Sequence, residues 1–274
     1  MLINGIVTNN IDATDRGLAY GDGLFSTIKV EYGKVIDWPL HLERLKLGVN
    51  RLFFPAIDWD LLEKEVFESA QTVNLESHYI LKLIVTRGSG GRGYSAQGCD
   101  SPLRLITLLP FPMHYLKWQK EGIAIVQCDT LLGRNKQLAG LKSLARLEQV
   151  LIKQELLGLQ AVEGLVCDEL GYVIEGCSTN VFIYLNGQWI TPKLDYCGVA
   201  GVMRARILKN TSIQVIEREI TLDDINRASS ICLTNALMGI VPVKQYQAKI
   251  YSKQQLEKVI ELQTLLNKEV FNHD

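Results

Sequence analysis

Lys142 is the residue at which this sequence most readily places covalent chemistry. It stands in LGRNKQLAGLKSLARLEQVLIKQELL, Leu132 to Leu157, where Leu141, Leu144, Leu147 and Leu151 fall three and four apart and Gly140 and Gly158 punctuate the segment. That spacing predicts a helix with Lys142 in its first turn. The partial positive charge of a helix N-terminus disfavours a second cation and so favours the free amine, and a free amine can form a Schiff base. A lone lysine is by default a solvated surface charge, so Lys142 gains meaning only from the company it keeps.

The other candidates would handle an anion or a proton. RGSGGRGYSAQG, residues 87–98, holds five glycines and two arginines in twelve positions and cannot pack a core. Its amides and the guanidinium groups of Arg87 and Arg92 could cradle a carboxylate, with a flexible solvent loop as the competing reading. Neither the Walker spacing nor a dinucleotide fingerprint is present. Glu175 ends the apolar run YVIEG, where an unpaired carboxylate is costly to bury, so it should face a partner or a ligand. GVMRARIL predicts a helix whose first amides, at Val202 and Met203, point out unpaired and could hold a phosphate. Asn235 follows the strand-like SSICLT at a second turn able to offer amides to the same group. Ser26 and Thr27 lie on a run that rises from Gly17, Gly21 and Gly23 and could be delivered to a cleft, although ordinary edge-strand hydroxyls fit equally well. Arg44, with His41, falls off the apolar face of Leu42, Leu45, Val49 and Leu52, so it is expected to be exposed.

These residues need a scaffold. Asn4-Gly5 and Tyr32-Gly33 predict hairpins, Pro39 opens a helix, and a second helix runs from an N-cap at Asp58 through Leu62, Val66 and Ala70 to Asn74. HYILKLIVT and LRLITLL read as strands. PFPMHYLKW, with Pro110 and Pro112 and little periodicity, reads as linker, so we expect domains at 1–109 and 119–274 joined by 110–118. The second part carries GIAIVQC, the Lys142 helix, VEGLVCD, YVIEG and NVFIYL, with turns at Glu169–Gly171 and Asn186-Gly187. Thr221–Asp224 and Ser252–Gln255 have capping-box spacing, and a last helix shows Leu256, Val259, Leu266 and Val270 on one face. Many short strands around few helices argue for an α+β class rather than alternating βαβ units.

Composition narrows the classes of function. The 274 residues are 47% apolar and 22% charged, which describes a folded chain. A formal charge of -1 gives no global basic field, so a nucleic-acid partner is not expected and an anionic ligand must be met by local arginines. The six cysteines are scattered, with no C-x-x-C pair or histidines at ligand spacing, which argues against a zinc site or a disulfide framework. MLINGIVTNN lacks a basic flank and an apolar run, and no segment is apolar enough to span a bilayer, so a soluble cytoplasmic protein without membrane partners is expected.

HLERL at 41–45, LAGLK at 138–142, the E-x-C-x-x-N-V-F run from Glu175 to Phe182 and V-x-G-V-x-R from Val199 to Arg204 together resemble fold-type IV pyridoxal-phosphate enzymes over nearly the whole chain. Trp189, two before the threonine of Thr191-Pro192, is a small departure from that pattern. TRGSGGRGYS, LGRN, RLEQVL and TNALM look most like the aminodeoxychorismate lyases within the group. Branched-chain aminotransferases place a tyrosine five residues after the lysine and a glutamate in the second phosphate loop, where this chain has Leu147 and Gly239.

The resemblance implies a two-domain fold like that of D-amino-acid aminotransferases, with a small α/β N-terminal domain and a larger C-terminal domain built on a barrel-like sheet. It implies pyridoxal 5'-phosphate between the two domains and a homodimer. Lys142 becomes the Schiff-base lysine and acid–base catalyst, Arg44 a phosphate ligand and Glu175 the partner of the pyridine nitrogen. Val202 and Met203 offer amides to the phosphate, and Asn235, Ala236 and Leu237 fall in the second phosphate loop. The activity implied is elimination of pyruvate from aminodeoxychorismate to give 4-aminobenzoate for folate synthesis. Arg92, then Arg87, would meet the substrate's carboxylates, and Thr27 or Ser26 would assist. An aminotransferase on the same fold is the nearest alternative, and a cofactor-free phosphate- or RNA-binding module the alternative from another class.

Overall fold

Period-two alternation builds the first of the two units into which the chain divides, Met1–Pro112 together with Leu141–Arg146. The computed structural model describes residues 1–74 and 76–270, the last three by backbone alone. In chain order this unit holds β1 (Leu2–Ile3), β2 (Ile6–Val7), α1 (Arg16–Tyr20), β3 (Gly23–Glu31), β4 (Lys34–Val35), α2 (Trp38–Arg51), α3 (Trp59–Gln71), β5 (His78–Thr86) and β6 (Leu103–Pro110). The strands form one antiparallel sheet in the order β2-β1-β6-β5-β3-β4. Asn4 with Gly5 and Tyr32 with Gly33 all take positive φ, the backbone that a two-residue hairpin requires.

Leu24, Ile28 and Val30 on one face of β3 are buried against Leu45 of α2 and Leu62 and Val66 of α3. Each such side chain contributes roughly 1.5–3 kcal/mol by leaving water. A Cβ at Gly48 would lie 2.7 Å from the Leu24 side chain, so α2 lies close on β3 because that position has no side chain. α3 starts at the expected cap, Asp58 accepting from the Leu61 amide, but it ends at Gln71 rather than Asn74.

The second unit comprises Met113–Gly140 and the chain from Leu147 on. It holds α4 (His114–Glu121), β7 (Ile123–Gln127), α5 (Leu147–Gly158), β8 (Gly164–Cys167), β9 (Val173–Gly176), β10 (Asn180–Leu185), β11 (Gln188–Pro192), α6 (Val202–Lys209), β12 (Val215–Arg218), α7 (Leu222–Arg227), β13 (Ser230–Asn235), β14 (Gly239–Tyr246), β15 (Lys249–Ile250) and α8 (Lys253–Val270). Its mixed sheet runs β12-β11-β10-β13-β14-β7-β8-β9, with β15 on β14. The last strand, β9, comes back against β10 and β11, so the sheet curls on itself as a barrel-like sheet must. The Thr221–Asp224 capping box is formed, and Ser252 and Gln255 exchange hydrogen bonds at the start of α8. Val259 and Leu266 are buried on α8 and Leu256 is partly buried, while the side chain of Val270 lies outside the described residues.

Two expectations need correction here. Residues 110–118 are not a linker: the prolines precede α4 instead of interrupting it, and its Tyr115 and Trp118 pack on the second core, so the division falls after Pro112. The helix predicted to carry Lys142 begins only at Leu147. Of the leucines that suggested it, Leu141 is buried but Leu147 and Leu151 are 79% and 61% exposed, so they never formed a single core-facing stripe.

Candidate active site

Lys142 lies in extended chain paired with the start of β3. The Phe25 amide donates to the Lys142 carbonyl at 3.0 Å, the Leu144 amide donates to the Gly23 carbonyl at 2.9 Å, and Ser143 bridges Leu24. This ladder uses the backbone groups that a helical turn would need, so no helix dipole acts on Lys142. Pairing instead puts Lys142 on the same face as Phe25, with Nζ 4.3 Å from the ring centroid. Thr27, two residues along β3, shares that face.

Arg146, which the sequence reading passed over, clasps the backbone on both sides of Lys142. Its guanidinium donates to the Leu141 carbonyl, to the Ser143 carbonyl at 3.1 Å and to Ser143 Oγ at 3.3 Å. Its placement inside RLEQVL, directly after the lysine segment, was the only available signal.

Ser26 faces the opposite way, toward α2, and is fully buried. Its hydroxyl accepts from Arg44 Nη2 at 2.7 Å and stands 2.8 Å from His41 Nδ1. The Ser26 hydroxyl has a second lone pair and one proton besides the Arg44 contact, so it can meet either neutral tautomer of His41 at Nδ1. Burial, the Arg44 charge and then Lys142 hold His41 well below the usual histidine range. Arg44 itself is half-buried instead of exposed as expected, because the buried stripe of α2 runs through Trp38, His41, Leu45 and Gly48 and Arg44 lies at its edge. Burial, and then the Arg146 charge, bring the Arg44 guanidinium down to about 10. Ser26 is thereby removed from the substrate-binding residues, since it is fully buried and its hydroxyl is engaged by Arg44 and His41 inside the unit.

The glycine loop is organised by Asp22. Arg87 donates through Nε and Nη2 to Asp22 at 2.7 and 3.1 Å, and to the Leu52 and Phe53 carbonyls, while its guanidinium stacks on Phe54. Arg87 is a strut and not a substrate ligand. Arg16, a buried residue that the sequence reading missed, donates to the same Asp22 and to the carbonyls of Gly93, Tyr94 and Ser95. A Cβ at Gly88 would lie 2.0 Å from the Ser101 carbonyl oxygen, so this loop is tied to the fold rather than loose. Arg92 remains exposed at its tip.

In the second unit Glu175 is buried on β9, where Oε2 accepts from the Val199 amide at 2.8 Å and Oε1 from Gln149 Nε2 at 3.3 Å. Asn180 staples the following turn: Nδ2 donates to the Val199 carbonyl and Oδ1 accepts from the Gly201 amide. A Cβ at Gly201 would fall 2.1 Å from that Oδ1. No side chain caps α6 at Gly201, so the amides of Val202 and Met203 carry the donors that a helix leaves unpaired at its start. Asn235 accepts from the amides of Leu237 and Met238, so the Leu237 amide is already used, and Ala236 is left as the turn's candidate donor. The buried hydroxyls of Thr179 and Thr234 have no hydrogen-bond partner among the described residues.

A profile described as aminotransferase class IV matches residues 23–246. The chain is 36% identical to an aminodeoxychorismate lyase of Vibrio harveyi over 90% of this chain and 91% of the other. It is 25% identical to a D-alanine aminotransferase of Bacillus licheniformis over 85% of this chain and 82% of that one. The crystal structure of 4-amino-4-deoxychorismate lyase from Pseudomonas aeruginosa superposes with a TM-score of 0.90 at 34% identity, covering 97% of each chain. With the lysine segment, the buried glutamate and the uncapped helix turn all in place, the chain belongs to the class IV aminotransferase family.

Proposed function

We propose that this protein is an aminodeoxychorismate lyase that uses pyridoxal 5'-phosphate to release pyruvate and leave 4-aminobenzoate, a step toward folate. The observation that carries the reading is the likeness, at more than a third identity, to a lyase of that name along almost the whole chain. The donor set fits the cofactor: an amine with its backbone clasped on both sides, a half-buried arginine held by Ser26, and an uncapped helix turn beside buried hydroxyls without a partner among the described residues.

Lys142 would take the aldehyde, Arg44 and the amides of Val202, Met203 and Ala236 the phosphate, and Glu175 the ring nitrogen. When bound, the cofactor supplies an aldehyde for the substrate's amine and a ring that withdraws charge from the carbon bearing it. Glu175, its orientation fixed by Val199 and Gln149, would favour a protonated ring nitrogen. Lys142 would hold the proton that leaves the carbon bearing the substrate's amine and would return it to the enol whose carbon–oxygen bond breaks. Thr27, on the same face as Lys142, would assist that proton. Arg92 on its braced loop would meet a carboxylate.

Purified protein supplied with pyridoxal phosphate and aminodeoxychorismate should release pyruvate and 4-aminobenzoate in equal amounts. Amino-group exchange between an amino acid and a keto acid, with no 4-aminobenzoate formed, would assign the chain to the aminotransferases instead.

The six cysteines are free and buried, which suits a reducing compartment, and no described helix is long and apolar enough to cross a membrane; we place the protein in the cytoplasm. We also propose a homodimer. Leu147, Val150, Leu151 and Leu157 on α5 are 79%, 61%, 61% and 63% exposed, an apolar patch that a second copy would cover.

A further inference from the structure

Glu163 is a buried carboxylate that none of the roles above uses. It precedes β8, and its two oxygens collect four donors. Oε1 accepts from the amides of Cys177 at 2.6 Å and Gly164 at 3.2 Å. Oε2 accepts from the hydroxyl and amide of Ser178 at 2.9 and 3.3 Å. Burying a carboxylate this deeply is costly unless its lone pairs are filled, so the turn at Cys177 and Ser178 is held as firmly as the carboxylate is.

That turn is a junction. Immediately after it Asn180 staples Val199 and Gly201, the residues that lead into the uncapped start of α6. The Ser178 carbonyl accepts from Asn235 Nδ2 at 3.3 Å, and Asn235 in turn caps the amides of Leu237 and Met238. The two turns proposed to offer amides to the phosphate are therefore both anchored on the segment that Glu163 grips.

We infer that Glu163 is a positioning residue for the phosphate group of the cofactor: by fixing Cys177 and Ser178 it sets the spacing between the α6 turn and the Asn235 turn. The inference rests on the cofactor reading above. Its signature is selectivity for the phosphate, since Lys142 and its reaction with an aldehyde do not depend on this junction.

Glu163→Gln tests it. The substitution keeps shape but turns one acceptor oxygen into a donor, so at least one buried amide or hydroxyl donor is left opposite another donor. The full chain, stripped of cofactor, is titrated with pyridoxal phosphate and separately with pyridoxal, which lacks the phosphate, and its melting temperature is recorded. Wild type should prefer pyridoxal phosphate strongly. Glu163→Gln should lose about ten-fold in affinity for pyridoxal phosphate while its affinity for pyridoxal and its melting temperature hold. Ser178→Ala, which removes one of the four donors, should show the same selective loss in smaller measure, and it decides the matter alone should Glu163→Gln not fold. Equal losses for both ligands, or an unchanged preference in the variants, would overturn the positioning role and leave the cofactor reading standing. A wild type indifferent to the phosphate would overturn both.

Discussion

Arg44 reaches the fully buried hydroxyl of Ser26 through Nη2 at 2.7 Å, so the guanidinium is aimed by a residue on the neighbouring strand and not by solvent. Ser26→Ala removes that acceptor and also the hydrogen-bond partner of His41 Nδ1. Leaving such groups unsatisfied costs about 1–3 kcal/mol. We expect a lower melting temperature and weaker retention of pyridoxal phosphate, with Arg44→Ala weaker still. If dialysed Ser26→Ala keeps its cofactor as wild type does, Arg44 does not depend on this contact for its aim.

The backbone on either side of Lys142 is held by Arg146, and the chain before Phe25 is paired with it, so the amine has a fixed root. Borohydride treatment of the cofactor-loaded protein followed by peptide mapping should put the label on Lys142, and Lys142→Ala should be colourless. A label on Lys136 or Lys153 would remove the proton-transfer role assigned above.

Glu175→Gln should separate binding from turnover. Glutamine retains an oxygen for the Val199 amide, so the turn leading to α6 should persist and the cofactor should still bind. Without a negative charge the ring nitrogen loses its proton more easily, and the release of 4-aminobenzoate should fall by at least about ten-fold, the usual scale for a lost electrostatic contact to the reacting system. Turnover equal to that of wild type would disprove the electron-withdrawing role of this carboxylate.

The strands were legible because alternation is local: HYILKLIVT is β5 residue for residue, and the hairpins follow from two-residue turns at positive φ. The Lys142 segment misled because Leu141, Leu144, Leu147 and Leu151 have helical spacing while the backbone of residues 142–144 is claimed by a long-range partner, Gly23–Phe25, more than a hundred residues earlier, and the helix starts only at Leu147. Arg87 and Arg92 look alike in sequence, and only Asp22 and the Leu52 and Phe53 carbonyls separate the strut from the exposed arginine. Arg16 and Glu163 gave little local signal, because besides Asp22 and Gly164 their partners lie 77–79 and 14–15 positions away.

The apolar patch on α5 gives a test of assembly. Ile152 and Leu156 bury the other side of the helix, so Leu151 can be changed without entering the core. Leu151→Glu should shift the protein from dimer to monomer in sedimentation or light scattering while leaving its secondary structure intact. A variant that remains dimeric at low concentration would place the interface elsewhere.

Asp22 should make the glycine loop sensitive to acid. Burial raises its carboxyl, but hydrogen bonds and charge from Arg87 and Arg16 more than reverse this, so the folded value lies below that of a free aspartate. The sign follows: a depressed carboxyl contributes stability that is fully present at neutral pH and is lost as pH falls below about 4, through the folded value. Asp22→Asn leaves two buried guanidinium groups without their shared anion and should cost roughly 3 kcal/mol at neutral pH. Because the variant has no carboxyl to protonate there, its stability in urea should fall less steeply with acidification than that of wild type. Freed from Asp22, Arg16 should also hold the carbonyls of Gly93, Tyr94 and Ser95 less firmly, and cleavage by trypsin at Arg92 should speed up. Parallel stability curves from neutral pH to below pH ~4, with unchanged cleavage at Arg92, would show that Arg16 and Arg87 hold the loop without the carboxylate.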